Sequence, residues 1–441
     1  PPPPGMRPIP CSGMDLGARD PILTIGLIVD ARLDARQLEE TLTILIEKKF
    51  PRAGARIAVR NGVHEFQVPT RFGPEMPAVE FTVEDHPEAY IPGRSFTSPA
   101  PDGRPFLIKL PDMAPYLRHS SCPKSVEAFI ETKCPLVHVH VVTFDDLTFI
   151  GVTNAHVAFD AVGTGTLLDA WTRVINGTDI NDIVGMKWDT QAFQSFAGPT
   201  KVAKQRGWYD LGLVQQVLFI ACFVWRIFWD PKEVEMYVRV PKAFLADSKR
   251  EIMENLKNEG STEWVGSSDV LTAWWYKGVM GHRKDSTPIH IHLPINLHGK
   301  PEFPVLSSPY INNTVLSIGI SPNPPNAFRK ESVGQLALRF RRVILAYNAD
   351  PAGMLDDVHW RCAYPGKMLF PCPPGADYSF QSSWRAASFG ALDFSGAQSQ
   401  IEGKQPGKAR VVFVCPVLTS GKAYPLRGSG AVLMEDEDVI W

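Results

Sequence analysis

This 441-residue sequence lacks most of the short signatures that announce a chemistry. It has no P-loop, no G-x-G-x-x-G, no G-x-S-x-G and no H-E-x-x-H. That removes the phosphate-cradling loops, the serine-hydrolase elbow and the zinc-peptidase helix. Cysteine is scarce: Cys11, Cys122, Cys134, Cys222, Cys362, Cys372 and Cys415 are odd in number and include no C-x-x-C. A disulfide framework or zinc ribbon is therefore not expected, and a reducing, cytoplasmic compartment is. Net charge is also nearly missing. With 45 Lys and Arg against 47 Asp and Glu the balance is −2, and no basic block stands out, so no nucleic-acid partner is expected. There is no internal repeat and no visible signal peptide, and the chain opens on PPPPGM without an initiator methionine, as a chain missing its natural start would.

A clean membrane span is absent too. LGLVQQVLFIACFVWRIFW at 211–229 comes nearest in length and apolarity. It carries Gln215, Gln216 and Arg226, which are costly at a bilayer centre. It reads as a buried or partly exposed helix, with peripheral membrane contact as the alternative.

What the sequence does have is apolar periodicity. LTIGLIVDA at 23–31 reads as a buried strand. Asp34 with Gln37 three later forms a capping-box pattern ahead of a helical stripe through Leu38, Leu42, Leu45 and Ile46. Residues 56–68 read as a hairpin about Asn61-Gly62. LVHVHVVTF and LTFIGVTNA, at 136–144 and 147–155, are strands. A helix after Asp160 closes at Asn176-Gly177, and 178–210 is linker-like. Further on come a strand at 235–240, a polar helix at 242–258, a buried helix at 267–281 capped near Ser268, and strands at 289–296, 313–320 and 410–417. This mixture, with no regular β-α-β alternation, indicates a mixed α/β or α+β fold in two layers.

Between a strand and a helix lies TNAHVAFDAVGTG, residues 153–165. In such a connection backbone amides are unpaired and side chains reach clefts. A neutral imidazole is the commonest general base near pH 7. Asp160 follows His156 by four residues and either caps the helix or pairs with an arginine elsewhere, so the pair by itself reads more readily as structure than as catalysis. His138/His140 and His290/His292 each share a strand face, but neither pair gains a third ligand at useful spacing, so no metal site is expected.

The order of several segments carries more than any one of them. HVAFDA at 156–161, DFSGA at 393–397, FPRAGARI at 50–57, SSDVLTAWW at 267–275, YINNTV at 310–315 and SSWRAASFGALDF at 382–394 together resemble the BAHD-type acyltransferases, most nearly a divergent fungal branch that decorates secondary metabolites. The match departs at Ala161, where glycine is usual, at Asn312, also in a glycine's place, and in DFSGA, which lacks a tryptophan. The resemblance implies two chloramphenicol-acetyltransferase-like domains, each a mixed sheet with helices, and a channel between them. The expected division is 1–180, a crossover of 181–234 and 235–441. It implies acyl-CoA, acetyl-CoA foremost, as co-substrate, a small-molecule acceptor, no bound cofactor and a monomer. His156 would be the base. Ser382 and the indole of Trp384 would face the oxyanion, and Ser268 would be the best candidate for coenzyme A contact. Asp393 and Phe394 would buttress the channel and Asn313 would brace a loop. The resemblance implies that Asp160 holds the loop through a basic residue of INLHGKPEF (295–303); His298 and Lys300 stand there in place of the usual arginines, so the anchor is expected to be weaker, pH-sensitive through His298, or made by another residue. Two alternatives remain: a carrier-protein donor, against which Ala155 counts because a second histidine usually precedes, and a fold relative that binds a ligand or rearranges it without acyl transfer. O- and N-acylation are not separated.

Overall fold

A computed structural model of the chain describes residues 3–441 except 18, 91–102, 203, 230, 233, 308, 400–406 and 420–426. Four sheets organise the described residues. The largest runs, edge to edge, through Val411–Thr419, Ile22–Val29, Thr148–Ala155, Val137–Thr143 and Glu80–Asp85. Its pairs are antiparallel except the last, where Glu80 lies beside His138 in parallel register. Every residue of Thr148–Ala155 is buried, as a central strand covered on both faces must be. A second sheet orders Val315–Asn323, Ile289–Asn296, Asp377–Ser383 and Gly430–Val432. Two three-stranded sheets complete the set, one holding the hairpin Arg56–Arg60/Val63–Pro69. Its turn puts Asn61 at φ 51° and Gly62 at φ 77°, the left-handed pair that a two-residue hairpin needs.

Each of the two large sheets has its own apolar core, the second covered by the helices Lys242–Asn258, Ser267–Met280 and Val333–Asn348. The fold is therefore mixed α/β with two sheet-and-helix bodies. Two strand pairings among the described residues cross between the halves of the sequence: Val411–Thr419 with Ile22–Val29, Cys415 opposite Gly26, and Phe106–Ile108 with Tyr237–Pro241.

Local chemistry explains several ends. Asp34 caps the helix Ala35–Lys49 by accepting from the amides of Arg36 and Gln37. Gln37 does not close the box; its amide reaches Gly396 O at 3.0 Å and ties the DFSGA segment to this helix. The helix Ser267–Met280 is capped two residues earlier than Ser268, at Gly266, whose amide donates to Asp269 at 2.7 Å.

The apolar run behaves differently from a core helix. It forms the helix Leu213–Trp229, of which only Phe219 is buried, against Phe370. Its narrow inner contact includes Arg226, which pairs with Asp377 and donates to Gly375 O and Ala376 O. Periodicity cannot announce this, because the run is apolar all round. No helix among the described residues is long and apolar enough to cross a membrane.

Candidate active site

The strand Thr148–Ala155 delivers His156 to the start of the helix Ala161–Ile175. The His156 amide donates to Pro21 O at 2.9 Å, carrying the sheet's pairing one residue past the strand. The next three carbonyls are then fastened by side chains from YINNTV. Asn313 Nδ2 donates to His156 O at 2.7 Å and to Val157 O at 3.1 Å. Asn312 Nδ2 donates to Ala158 O at 2.9 Å. Asn312 is held in turn by buried Arg52, whose guanidinium donates to its Oδ1 at 3.0 Å and to Trp188 O. The buried Asn312 amide, held at both ends, keeps one orientation, and Ala158 with it.

Asp160 is buried, at 2% exposure. One carboxylate oxygen caps the helix by accepting from Gly163 N at 2.7 Å. The other accepts from Thr314 N at 2.9 Å and Thr314 Oγ1 at 3.3 Å. The basic partner expected from INLHGKPEF is not in contact. Lys300 turns away to Asn348 Oδ1 at 3.1 Å. His298 stands one residue removed, with Nδ1 3.0 Å from Thr314 Oγ1 and Nε2 3.0 Å from Tyr310 O. The physical reason is proximity: the strand Val315–Asn323 begins beside the helix start, and its preceding amide fills the site that a longer cation would take. Gly163 permits this approach, since a Cβ there would lie 2.0 Å from Ile311 O.

His156 is half-buried. Its Nδ1 is enclosed and has no hydrogen-bond partner among the described residues, so Nε2 is the nitrogen left for a ligand. The ring lines a cavity of about 2430 Å³, several times the roughly 300–1,000 Å³ of a site for one small ligand. Both halves of the sequence contribute its walls, and Asp160, Asn313, Ser382 and Trp384 line it with His156. Ser382 lies near the end of the strand Asp377–Ser383 and Trp384 just after it; the strand's last residues pair with Gly430–Val432, and Trp384 N donates to Val432 O at 2.8 Å.

The other expected residues lie elsewhere. Ser268 is absent from this lining and accepts from Arg385 at 3.0 Å. Phe394 is fully buried, edge-on to Trp171 at 5.7 Å. Asp393 folds its own turn by accepting from Ser395 N at 2.9 Å, while Asn176 Nδ2 donates to its carbonyl at 2.7 Å. The DFSGA segment thus clasps the far end of the helix that His156 precedes. Among the described residues no group of three His, Cys, Asp or Glu side chains is placed to hold a metal. His138 meets Cys134, and His292 meets Pro371 O.

Sequence reasoning missed Arg52, Asn312, Thr314 and Asp15. The first three sit inside quoted segments, but their partners are over one hundred residues away. Asp15 is buried under the same loop, accepts from the Ser12 amide and hydroxyl at 2.7 Å each, and faces Arg52 and the Asn313 amide. Burial pushes its carboxyl up to about 6 against those opposing contacts.

No protein-family model matches the chain. Among curated proteins it is 28% identical to acetyltransferase adrJ of Penicillium roqueforti, over 87% of this chain and 80% of that one. A shorter match, 28% identical over 53% of this chain and 50% of the relative, is to transcriptional regulator sdnM of Sordaria araneosa. Among solved structures, Fusarium-type TRI101 (F. graminearum) complexed with coenzyme A and deoxynivalenol superposes with a TM-score of 0.62 at 15% identity, covering 98% of this chain and 94% of that one. Vinorine synthase superposes at 0.59 and 15% identity, covering 100% and 90%. The fold is that of the two-domain acyltransferases. The chain is similar to fungal proteins named as acetyltransferases, and its fold is the one that TRI101 and vinorine synthase share.

Proposed function

We propose that the protein moves an acyl group, acetyl foremost, from a coenzyme A thioester to a hydroxyl of a small secondary metabolite. The observation that carries this reading is the presentation of His156: enclosed at Nδ1, free at Nε2, on a loop pinned at three successive carbonyls, in a cavity with room for two substrates. In the proposed reaction Nε2 takes the acceptor's O–H proton as its oxygen attacks the thioester carbonyl. The tetrahedral oxyanion collapses, the C–S bond breaks, and the imidazolium protonates the departing thiolate. Ser382 and the Trp384 indole N–H are the proposed oxyanion donors, a role that is often the largest catalytic contribution. Asp160 and Asn313 hold the loop, and Asp393 and Phe394 brace the helix behind it. Residues 1–180 and 235–441, joined by 181–234, are the proposed domains, with Val411–Thr419 lent to the first.

The test is thiol release from acetyl-CoA across a panel of alcohols, with amines as a second arm. His156→Ala is expected to lower the rate about 100- to 10,000-fold while leaving the unfolding midpoint unchanged. An absence of His156-dependent thiol release with every donor and acceptor would favour a ligand-binding or regulatory protein on the same fold. Sensitivity only to carrier-bound acyl groups would favour the carrier-protein reading.

A further inference from the structure

The helix Leu213–Trp229 presents an apolar surface that lies mostly outside the cavity. Leu213, Val214 and Phe228 are each more than 70% exposed, and Val217, Leu218, Ile220, Val224, Trp225 and Trp229 are each at least half exposed. Nine such side chains expose on the order of 1,000 Å², where the largest patch on a typical monomer is about 300–600 Å². At 100° per residue the exposed apolar positions sweep an arc of about 200°. The inner stripe is Gln216, Phe219, Cys222, Phe223 and Arg226. The only charge, Arg226, is turned inward to Asp377, and Gln216 is spent on Leu211 O.

We propose that this face docks the chain on a lipid bilayer surface, helix in plane, and sets the cavity mouth against the bilayer so that an apolar acceptor passes between them. Shape and chemistry select lipid over protein. A second copy packs a stripe of roughly 100° and leaves about half the arc wet. Protein interfaces also carry about one hydrogen bond per 100–200 Å², and this face offers little beyond Gln215 and two indole N–H groups. A bilayer covers the whole arc and needs no polar rim. Trp225, Phe228 and Trp229 cluster at one end, with ring centroids 5.5–6.5 Å apart, the residue types that favour the interfacial layer. At 17 residues the helix is about 25 Å long, enough to lie on a bilayer. The same helix continues into the cavity wall through Phe219, Phe223, Ile227 and Trp229, so the lipid-facing surface and the cavity are one apolar path. The docking is independent of the acyl-transfer reading; only the naming of the passenger as acceptor rests on it.

The test is sedimentation of the full chain with extruded phosphatidylcholine vesicles at low and high salt. Wild type is expected to pellet with the vesicles at both, because the outer arc that makes the contact carries no charge. The triple variant Val217→Asp/Val224→Asp/Phe228→Asp, on the outer arc and away from the cavity lining, is expected to lower the bound fraction at least about tenfold. Its unfolding midpoint and its thiol release with a water-soluble alcohol are expected to match wild type. Wild type left in the supernatant overturns the proposal, as does a dimer in which Leu213–Trp229 is protected from hydrogen exchange. Should the variant not fold, quenching of wild-type tryptophan fluorescence by acyl-brominated phosphatidylcholine decides, and unquenched emission refutes docking. Vesicle binding is read without turnover, so failure of acyl transfer and failure of docking are separate results.

Discussion

Replacing Asp160 by alanine removes three hydrogen bonds at once, from Gly163 N, Thr314 N and Thr314 Oγ1. The lost helix cap costs about 1 kcal/mol. The Thr314 amide is left buried without its acceptor, which costs about 1–3 kcal/mol. The 3.3 Å hydroxyl bond adds little, because Thr314 Oγ1 keeps Asn296 Oδ1 at 3.0 Å. The sum is about 2–4 kcal/mol, or about 2–4 °C in Tm for a chain of this length unfolding as one unit. Asp160→Asn keeps one accepting oxygen and turns an N–H toward the other donor, so it should lose about 2 kcal/mol. The assay is urea and thermal unfolding beside thiol release per folded molecule, with His156→Ala as reference. Stability should order wild type, Asn, Ala. The reasoning is refuted if Asp160→Ala unfolds with the wild type and yet loses turnover as completely as His156→Ala; the carboxylate would then act on the reaction itself.

Three further outcomes follow from the same geometry. Gly163→Ala drives a Cβ to 2.0 Å from Ile311 O, so backbone must shift; a loss of about 1–3 kcal/mol and reduced turnover are expected, read by unfolding and thiol release. Asn313→Ala frees the His156 and Val157 carbonyls and should lower kcat at least about tenfold with little change in KM; an unchanged kcat would detach this brace from catalysis. Burial depresses the buried His138 and His292 to about 4, so between about 6.5 and 4 the unfolded chain binds the extra protons. Stability is then full above pH 6.5 and falls toward pH 4, by up to about 1.4 kcal/mol per pH unit for each histidine. Asp15, raised to about 6, works the opposite way between 3.8 and 6. Denaturation midpoints at pH 7, 6 and 5 should show a slope that His138→Gln/His292→Gln flattens.

Regular elements were readable where periodicity and caps agreed. The helix Lys242–Asn258, the strand Ile289–Asn296 and the Asn61-Gly62 hairpin stand where the sequence places them. The helices Pro325–Lys330, Val333–Asn348 and Pro351–Ala363 were not read at all, although Ser332 and Gln335 form a capping box at the start of the second. The strand Ile22–Val29 announces its burial but not its neighbours. Both lie over a hundred residues downstream, and pairing is a long-range choice. The same limit governs the site. His156 and Asp160 are visible in TNAHVAFDAVGTG, but Thr314 as the partner of Asp160 is not, since a backbone amide carries no sequence label. The exposure of Leu213–Trp229 is illegible for a related reason: apolarity on all sides says nothing about which side is covered.

The strand Val411–Thr419 has a consequence for how the polypeptide is made. Ile22–Val29 leaves the ribosome early and gains Thr148–Ala155 on one edge, but its other edge stays open until residue 419 emerges. At about 5–20 residues per second that interval is tens of seconds. Throughout it a fully buried strand, ILTIGLIV, offers unpaired amides to any nascent neighbour. The first half is thus an unfinished body that only the last tenth of the chain can close. Expressed alone it should aggregate, and supplying residues 407–441 in trans should rescue its solubility.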